Sequence, residues 1–186
     1  MTLYLCKYNA PIDTYSMSNI RVRIKSTPLA FWVLSALVSF GATLGHAQTI
    51  AISGEVTKPL TLQPTDLKAM AHTEVTASDR DGKEHKYSGV PLYDLLKQAG
   101  ASLGGELRGE NLTKFVIVKA VDGYEVLFAL PEIDPDFTTR TIILADTVDG
   151  APLGQGVGQY RMVVPGEKKP ARWIREVKSI EVRFAK

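Results

Sequence analysis

The sequence reads as an α+β domain, mostly antiparallel or mixed sheet with short helices inserted between strand pairs. Three observations carry that reading. Asp-Gly steps occur at Asp81-Gly82, Asp122-Gly123 and Asp149-Gly150, each between short runs of strand character, and Asp-Gly is the strongest short-range hairpin signal. Helical spacing is confined to two stretches, Gln63 to Met70 and Gly89 to Gly100. The remaining apolar runs are of strand length, and about eight of them can be traced. No internal repeat or low-complexity segment interrupts the pattern.

In chain order, Ile50 to Val56 alternates like a strand and meets a turn at Lys58-Pro59, after which Leu60 to Leu62 alternates again. The spacing predicts a helix over 63–70: Pro64 suits its first turn, Asp66 the positive end of its dipole, and Leu67 with Met70 its buried side. Thr73 to Ser78 and Glu84 to Ser88 form a hairpin about Asp79-Arg80-Asp81-Gly82. Gly89 to Gly100 is the clearest helix, with Pro91 near its start, Leu92, Leu95, Leu96 and Ala99 on one face, and Gly100 as its stop. A glycine-rich connector, Ala101 to Gly109, is expected on the surface. Lys114 to Lys119 looks like a central strand, Tyr124 to Leu130 pairs back on it, and Pro131 to Asp134 makes one helical turn. Thr141 to Asp146 is a further buried strand, Met162 to Val164 a short one, and Ser179 to Phe184 the last.

The N-terminus has the anatomy of a secretory leader. Leu29 to Leu44 is charge-free, Arg21, Arg23 and Lys25 precede it, and Gly45-His46-Ala47 follows. Cleavage is expected after Ala47, with Gln48 as the mature start, so that 1–47 is signal peptide and 48–186 a single domain. Met17 makes the better start, which leaves 1–16 as a mis-called extension. The alternative is an uncleaved anchor, but the run of ~16 residues is short of the roughly 20 that span a bilayer. The expected location is periplasmic or secreted, with no membrane contact after cleavage.

Removing the leader changes the charge. It holds four of the 22 Lys and Arg and one of the 20 Asp and Glu, leaving 18 cations against 19 anions. This balance argues neither for nor against a nucleic-acid partner, and export argues against one. Locally, Arg161 to Lys186 carries eight Lys or Arg against three Glu, which suits an anionic ligand or partner. The only cysteine is Cys6, so the mature chain has neither a disulfide framework nor a thiolate for a metal. Two mature histidines, His72 and His85, are too few for a His-built metal site.

The cationic stretch runs Gln159-Tyr-Arg-Met-Val-Val-Pro-Gly-Glu-Lys-Lys-Pro-Ala-Arg-Trp-Ile-Arg175. A strand feeding a Gly turn, lined with cations and closed by an aromatic, is one way to hold an anion against a packed wall. Lys168, Lys169 and Arg172 are the candidate cradle; the alternative for them is a solvated basic turn. Trp173 is either a stacking platform or, by default, a core-edge aromatic. Arg161 is a candidate contact whose ordinary reading is a structural ion pair with an acid such as Asp146. Tyr124 is a candidate pocket wall whose default is a cross-strand aromatic. Asp146 and Glu132 form a further candidate pair, for acid–base work. The sequence has no nucleophile elbow, paired-His motif or phosphate loop.

Four phrases fall in a characteristic order: Gly54-Glu-Val-x-x-Pro-Leu-Thr-Leu, Gly89-Val-Pro-Leu-Tyr-Asp-Leu-Leu, Asp122-Gly-Tyr-Glu-Val, and Arg161-Met-Val-Val-Pro-Gly with Arg172-Trp-Ile. Together they resemble the molybdopterin-binding domain of the sulfite oxidase family, in particular its short, exported, stand-alone members. The resemblance implies a sulfite-oxidase-like molybdopterin-binding fold. It also implies a molybdenum site made by a pterin dithiolene and one cysteine thiolate, placed just after a strand and upstream of the Gly-Val-Pro-Leu helix. The matching window here, Thr76-Ala77-Ser78-Asp79, has no cysteine. A hydroxyl such as that of Ser78 is a poor substitute for a soft, strongly donating sulfur.

The expectation is therefore a non-catalytic, exported binding module for an anionic pterin-type cofactor, molybdopterin without its metal, or for a periplasmic protein. Ser78, Tyr124, Arg161, Lys168, Lys169, Arg172 and Trp173 form its candidate site. The alternatives are a molybdopterin-dependent oxidoreductase and a periplasmic interaction domain with no small ligand.

Overall fold

The computed structural model describes residues 48–185; the expected leader, its cleavage point and the expected start at Met17 lie outside the described residues. Ten strands and two α-helices follow one another as β1 (Ile50–Gly54), β2 (Leu60–Leu62), α1 (Pro64–Ala69), β3 (Thr73–Ser78), β4 (Glu84–Pro91), α2 (Leu92–Gln98), β5 (Lys114–Ala120), β6 (Glu125–Ala129), β7 (Ile143–Val148), β8 (Ala151–Pro152), β9 (Arg161–Val163) and β10 (Val177–Phe184). They make two five-stranded sheets, ordered β2-β1-β10-β5-β6 and β3-β4-β7-β8, with β9 also paired to β7. Among the described residues only the β1–β10 pair is parallel. The α+β, mixed and antiparallel expectation holds, and all described residues fall within one compact unit.

Alternation places the core of the first sheet. One cross-strand row, Ile52–Ile180–Val118–Val126, is buried along its whole length. β5 runs buried and half-buried residues in strict turn, as a strand hydrogen-bonded on both sides and covered on one face should. Leu67 of α1, Leu92, Leu95 and Leu96 of α2, and Ala99 at its C-terminal cap join the same hydrophobic core. No helix among the described residues is long and apolar enough to cross a membrane.

Element ends shift by one to three residues from the sequence expectation, and three features differ more. The helix expected from Gly89 begins at Leu92, because Gly89, Val90 and Pro91 continue β4 against Ala145, Leu144 and Ile143 of β7. Gly89 stands at a register shift in that pairing, and a side chain there would run into the Leu144 carbonyl and the Ala145 backbone. Close backbone approach, rather than helix capping, is what this glycine serves. The connector after α2 is partly interior: Leu107 is buried, and two 3₁₀ turns, Gly104–Glu106 and Gly109–Thr113, shape it. Buried Asp134 pins it by accepting the Gly104 N–H at 2.6 Å. Finally, the Asp149-Gly150 turn returns as the two-residue strand β8, too short to read from sequence.

Candidate functional site

The site is assembled where the β3–β4 hairpin meets the segment between β9 and β10. β9 is held on one side by β7. On the other, the Met162 N–H donates to the Ile174 carbonyl at 2.9 Å and the Val177 N–H to the Tyr160 carbonyl at 3.3 Å. The chain from Trp173 to Val177 therefore runs back alongside β9, and Arg161 and Arg175 stand opposite one another in an isolated bridge.

Arg161 is buried, 4% exposed, and forks onto Asp79: Nη1 donates to Oδ2 at 2.6 Å and Nη2 to Oδ1 at 3.1 Å. The expected pairing with Asp146 is thereby corrected; Asp146 instead lies 3.0 Å from His72 Nε2. The planar fork of a guanidinium matches two carboxylate oxygens, and Asp79 at the hairpin corner offers both. The Tyr87 hydroxyl adds a third donor to Asp79 at 3.0 Å and the Arg80 N–H a fourth at 2.7 Å. The guanidinium also lies over the rings of Trp173 and Tyr87, 5.0 and 5.8 Å from their centroids, and those rings meet edge to face at 5.6 Å. The hydrogen bonds from Arg161 hold the Asp79 carboxyl well below the usual carboxylate range. Burial, with the bond to Asp79, pushes the Tyr87 phenol up to about 12. At neutral pH the cluster is a fixed ion pair under an aromatic lid, with no group ready to exchange a proton.

Beside it opens a cleft of about 520 Å³. Tyr124 and Trp173 line it together with Arg80, Arg175, Asp122 and Glu176, over a floor that includes Pro170, Ala171 and Ile174. The Tyr124 ring is half exposed, and its hydroxyl donates to the Ala171 carbonyl at 3.2 Å, which orients it along the wall. Trp173 is buried, and its indole N–H donates to the Val164 carbonyl at 3.1 Å. Arg80 and Arg175 are exposed, and neither forms a salt bridge among the described residues. These two arginines are the cations of the cleft, and the carboxylates of Asp122 and Glu176 stand in the same lining.

Of the seven candidate residues, the structure brings three to this region: Tyr124 and Trp173 in the cleft wall, and Arg161 packed against Trp173. Ser78 is exposed at the end of β3, in register with Glu84, and does not line the cleft. Lys168 and Lys169 are exposed, and neither lines it. Arg172 is engaged elsewhere. Its Nε and Nη2 reach Glu167 at 2.7 and 2.5 Å, its Nη1 reaches Glu132 at 3.0 Å and the Leu127 carbonyl at 3.1 Å, and its Cζ lies 4.7 Å from the Phe128 ring centroid. Burial alone would lower its pKa; the two carboxylates more than offset that and raise it. Glu132 also meets Arg140 at 3.4 Å, so the expected Asp146–Glu132 carboxylate pair does not form: Glu132 faces two arginines and Asp146 the His72 imidazole.

Sequence reasoning did not single out Arg80, Arg175 or Tyr87, and it reached Asp79 only as part of the 76–79 window. Arg175 closes the basic stretch itself, and Arg80 sits between the two aspartates of a hairpin turn.

No family model matches the chain, and no curated protein matches it. Among solved structures it is similar to the crystal structure of the sulfane dehydrogenase SoxCD from Paracoccus pantotrophus, with a TM-score of 0.58 and 21% identity. The match covers 73% of this chain and 38% of that one. The fold is α+β and sulfite-oxidase-like.

The family resemblance read from the sequence implies a molybdenum–pterin group, and the residues present divide on whether they fit it. In the window 76–79, Ser78 is exposed and the Asp79 oxygens are engaged by Arg161, Tyr87 and the turn. The one cysteine of the chain, Cys6, lies outside the described residues, and no group of three or more metal-ligating side chains forms among the described residues. This donor set does not fit molybdenum, which favours soft sulfur. The cleft offers a flat organic anion two guanidiniums, which recognise carboxylate and phosphate by paired hydrogen bonds, and aromatic apolar contact, with Asp122 and Glu176 as opposing charges in the same lining.

Proposed function

We propose that this protein is an exported, non-catalytic binding module of sulfite-oxidase-like fold that holds a planar anionic ligand of the pterin type in the cleft between Arg80 and Arg175. The observation that carries the reading is the pairing of two arginines lacking carboxylate partners with Tyr124 and Trp173 in one cleft. Arg80 and Arg175 would bind the anionic groups, and Tyr124 would cover the ring. Arg161, already neutralised by Asp79, would stiffen the wall rather than touch the ligand. A charge-assisted hydrogen bond contributes roughly 1.5–3 kcal/mol, so two arginines suffice for micromolar retention only if the ring also packs.

The likeness to a dehydrogenase favours a second reading, an oxidoreductase that carries the complete molybdenum–pterin group, with the metal held by something other than the residues of the 76–79 window. One measurement separates the two. The full chain is made in cells that synthesise molybdopterin and purified from the exported fraction, and molybdenum and released pterin are quantified together. The expected result is pterin without stoichiometric molybdenum, falling at least tenfold in Arg80→Ala with Arg175→Ala. Molybdenum at one atom per chain would overturn the binding-module reading in favour of the enzyme; absence of both would remove the pterin.

A further inference from the structure

The hairpin tip that carries Arg80 is clamped on both sides. On one side Asp79 is tied to Arg161 and Tyr87. On the other, Asp81 is tied to His85 of β4, whose Nε2 lies 3.0 Å from Asp81 Oδ2 while its Nδ1 lies 2.6 Å from Asp149 Oδ2. Asp149 belongs to the β7–β8 turn, where it adopts φ 50°, and its other oxygen accepts the Lys86 N–H at 2.9 Å. One imidazole thus bridges the Arg80 hairpin to the neighbouring strand connection.

Both ring nitrogens of His85 face carboxylate oxygens, which can only accept. An imidazolium donates to both; a neutral imidazole donates to one and turns a bare nitrogen toward the other. We propose that His85 is a positioning residue for Arg80, fixing it in the cleft wall while the imidazole is protonated and releasing it when the proton is lost. This rests on the cleft being the ligand site.

The groups around the ring agree. Asp81 and Asp149 supply negative charge from two different turns. Tyr87 presents a ring edge-on at 6.3 Å, and its phenol does not titrate in the neutral range. Lys83 and Lys86 flank the carboxylates, but the Lys86 ammonium faces Glu74 at 3.4 Å. The bonds to Asp149 and then Asp81 raise the His85 pKa above its ordinary 6.5. The sign follows: the clamp is complete below about pH 6.5 and is lost as pH rises through the higher folded value. The Asp79–Arg161 clamp does not titrate there, so one side of Arg80 stays fixed while the other loosens.

The test has two arms on the full chain. Amide exchange at Arg80 to Lys83, corrected for intrinsic rates, is measured by NMR at pH 5.5 and 8.5. Binding of naphthalene-1,5-disulfonate, a planar dianion whose charge is constant over that range, is followed by calorimetry. Protection at the tip should fall at least fivefold with rising pH in the native protein and be low and constant in His85→Gln. Affinity should fall in parallel, and Asp149→Asn should flatten both curves. Equal protection at the two pH values, or the same fall in His85→Gln, overturns the positioning role. A pH-dependent tip with no dianion binding at either pH leaves His85 as a latch and overturns the cleft as the ligand site. Binding of equal strength at both pH values overturns the link between them.

Discussion

Arg161 and Arg172 lie eleven positions apart in one basic stretch. Both fork onto carboxylates, and both stack on aromatic rings. They differ in burial: Arg161 is sealed at 4% exposure, whereas the Arg172 side chain keeps 31% of its surface in solvent. The buried pair exchanges hydration for geometry, so neither partner can be removed without stranding the other in a poor solvent. The half-exposed one sits in a network that water can repair. The difference teaches how to read a local excess of positive charge. Of the cations around the cleft, the two that look most like ligand-binding arginines are neutralised internally, and the charge left for a ligand belongs to Arg80 and Arg175.

The largest expected effect breaks the buried side of that comparison. Asp79→Ala leaves the Arg161 guanidinium buried with no carboxylate, at a cost of about 3–5 kcal/mol, read as a shift of the urea midpoint with unchanged slope. The pH dependence should report the same pair. Because the folded Asp79 pKa is depressed, its contribution is complete above the unfolded value near 3.9 and is lost as pH falls toward the folded value. The native protein should therefore lose stability more steeply below pH 4 than Asp79→Ala does. Parallel acid curves would show that the pair adds nothing net.

Much of the fold was legible because its signals are local. The Asp-Gly turns, the alternation of β3 and β5 and the spacing of Leu92, Leu95 and Leu96 each act within a few residues, and the structure keeps them. The site was legible only in part, since it depends on pairings at long separation. Asp79 and Arg161 are 82 residues apart, and Arg172 and Glu132 are 40 apart. A sequence window shows the cation without the acid that consumes it. Gly89 illustrates the same limit: beside Pro91 it looks like a helix entrance, and only the approach of Leu144 on β7 explains it.

A medium effect tests the open side. Arg172→Ala leaves Glu132 and Glu167 without a shared cation, though Glu132 keeps Arg140. Water reaches this network, so the loss should be about 1 kcal/mol, less than half that of Asp79→Ala and reduced at high salt. A loss equal to that of the buried pair would mean that Arg172 also fastens the 167–173 segment through its bond to the Leu127 carbonyl.

The smallest effect belongs to the residues that the sequence pointed to most directly. Lys168 and Lys169 are exposed, make no salt bridge among the described residues and lie outside the cleft wall, although Pro170 next to them is part of it. Replacing both with Ala should change stability by less than about 0.5 kcal/mol. It should weaken anion binding less than twofold at physiological salt, where charges more than about 8 Å from the ligand are largely screened. Repeating the titration at low salt sharpens the result. Lysines acting only through the general field lose influence as salt is added, whereas a lysine in direct contact keeps much of it. Should the Lys pair match Arg80→Ala with Arg175→Ala at every salt concentration, the basic turn is a wall of the site, and the division between neutralised and free cations must be redrawn to include it.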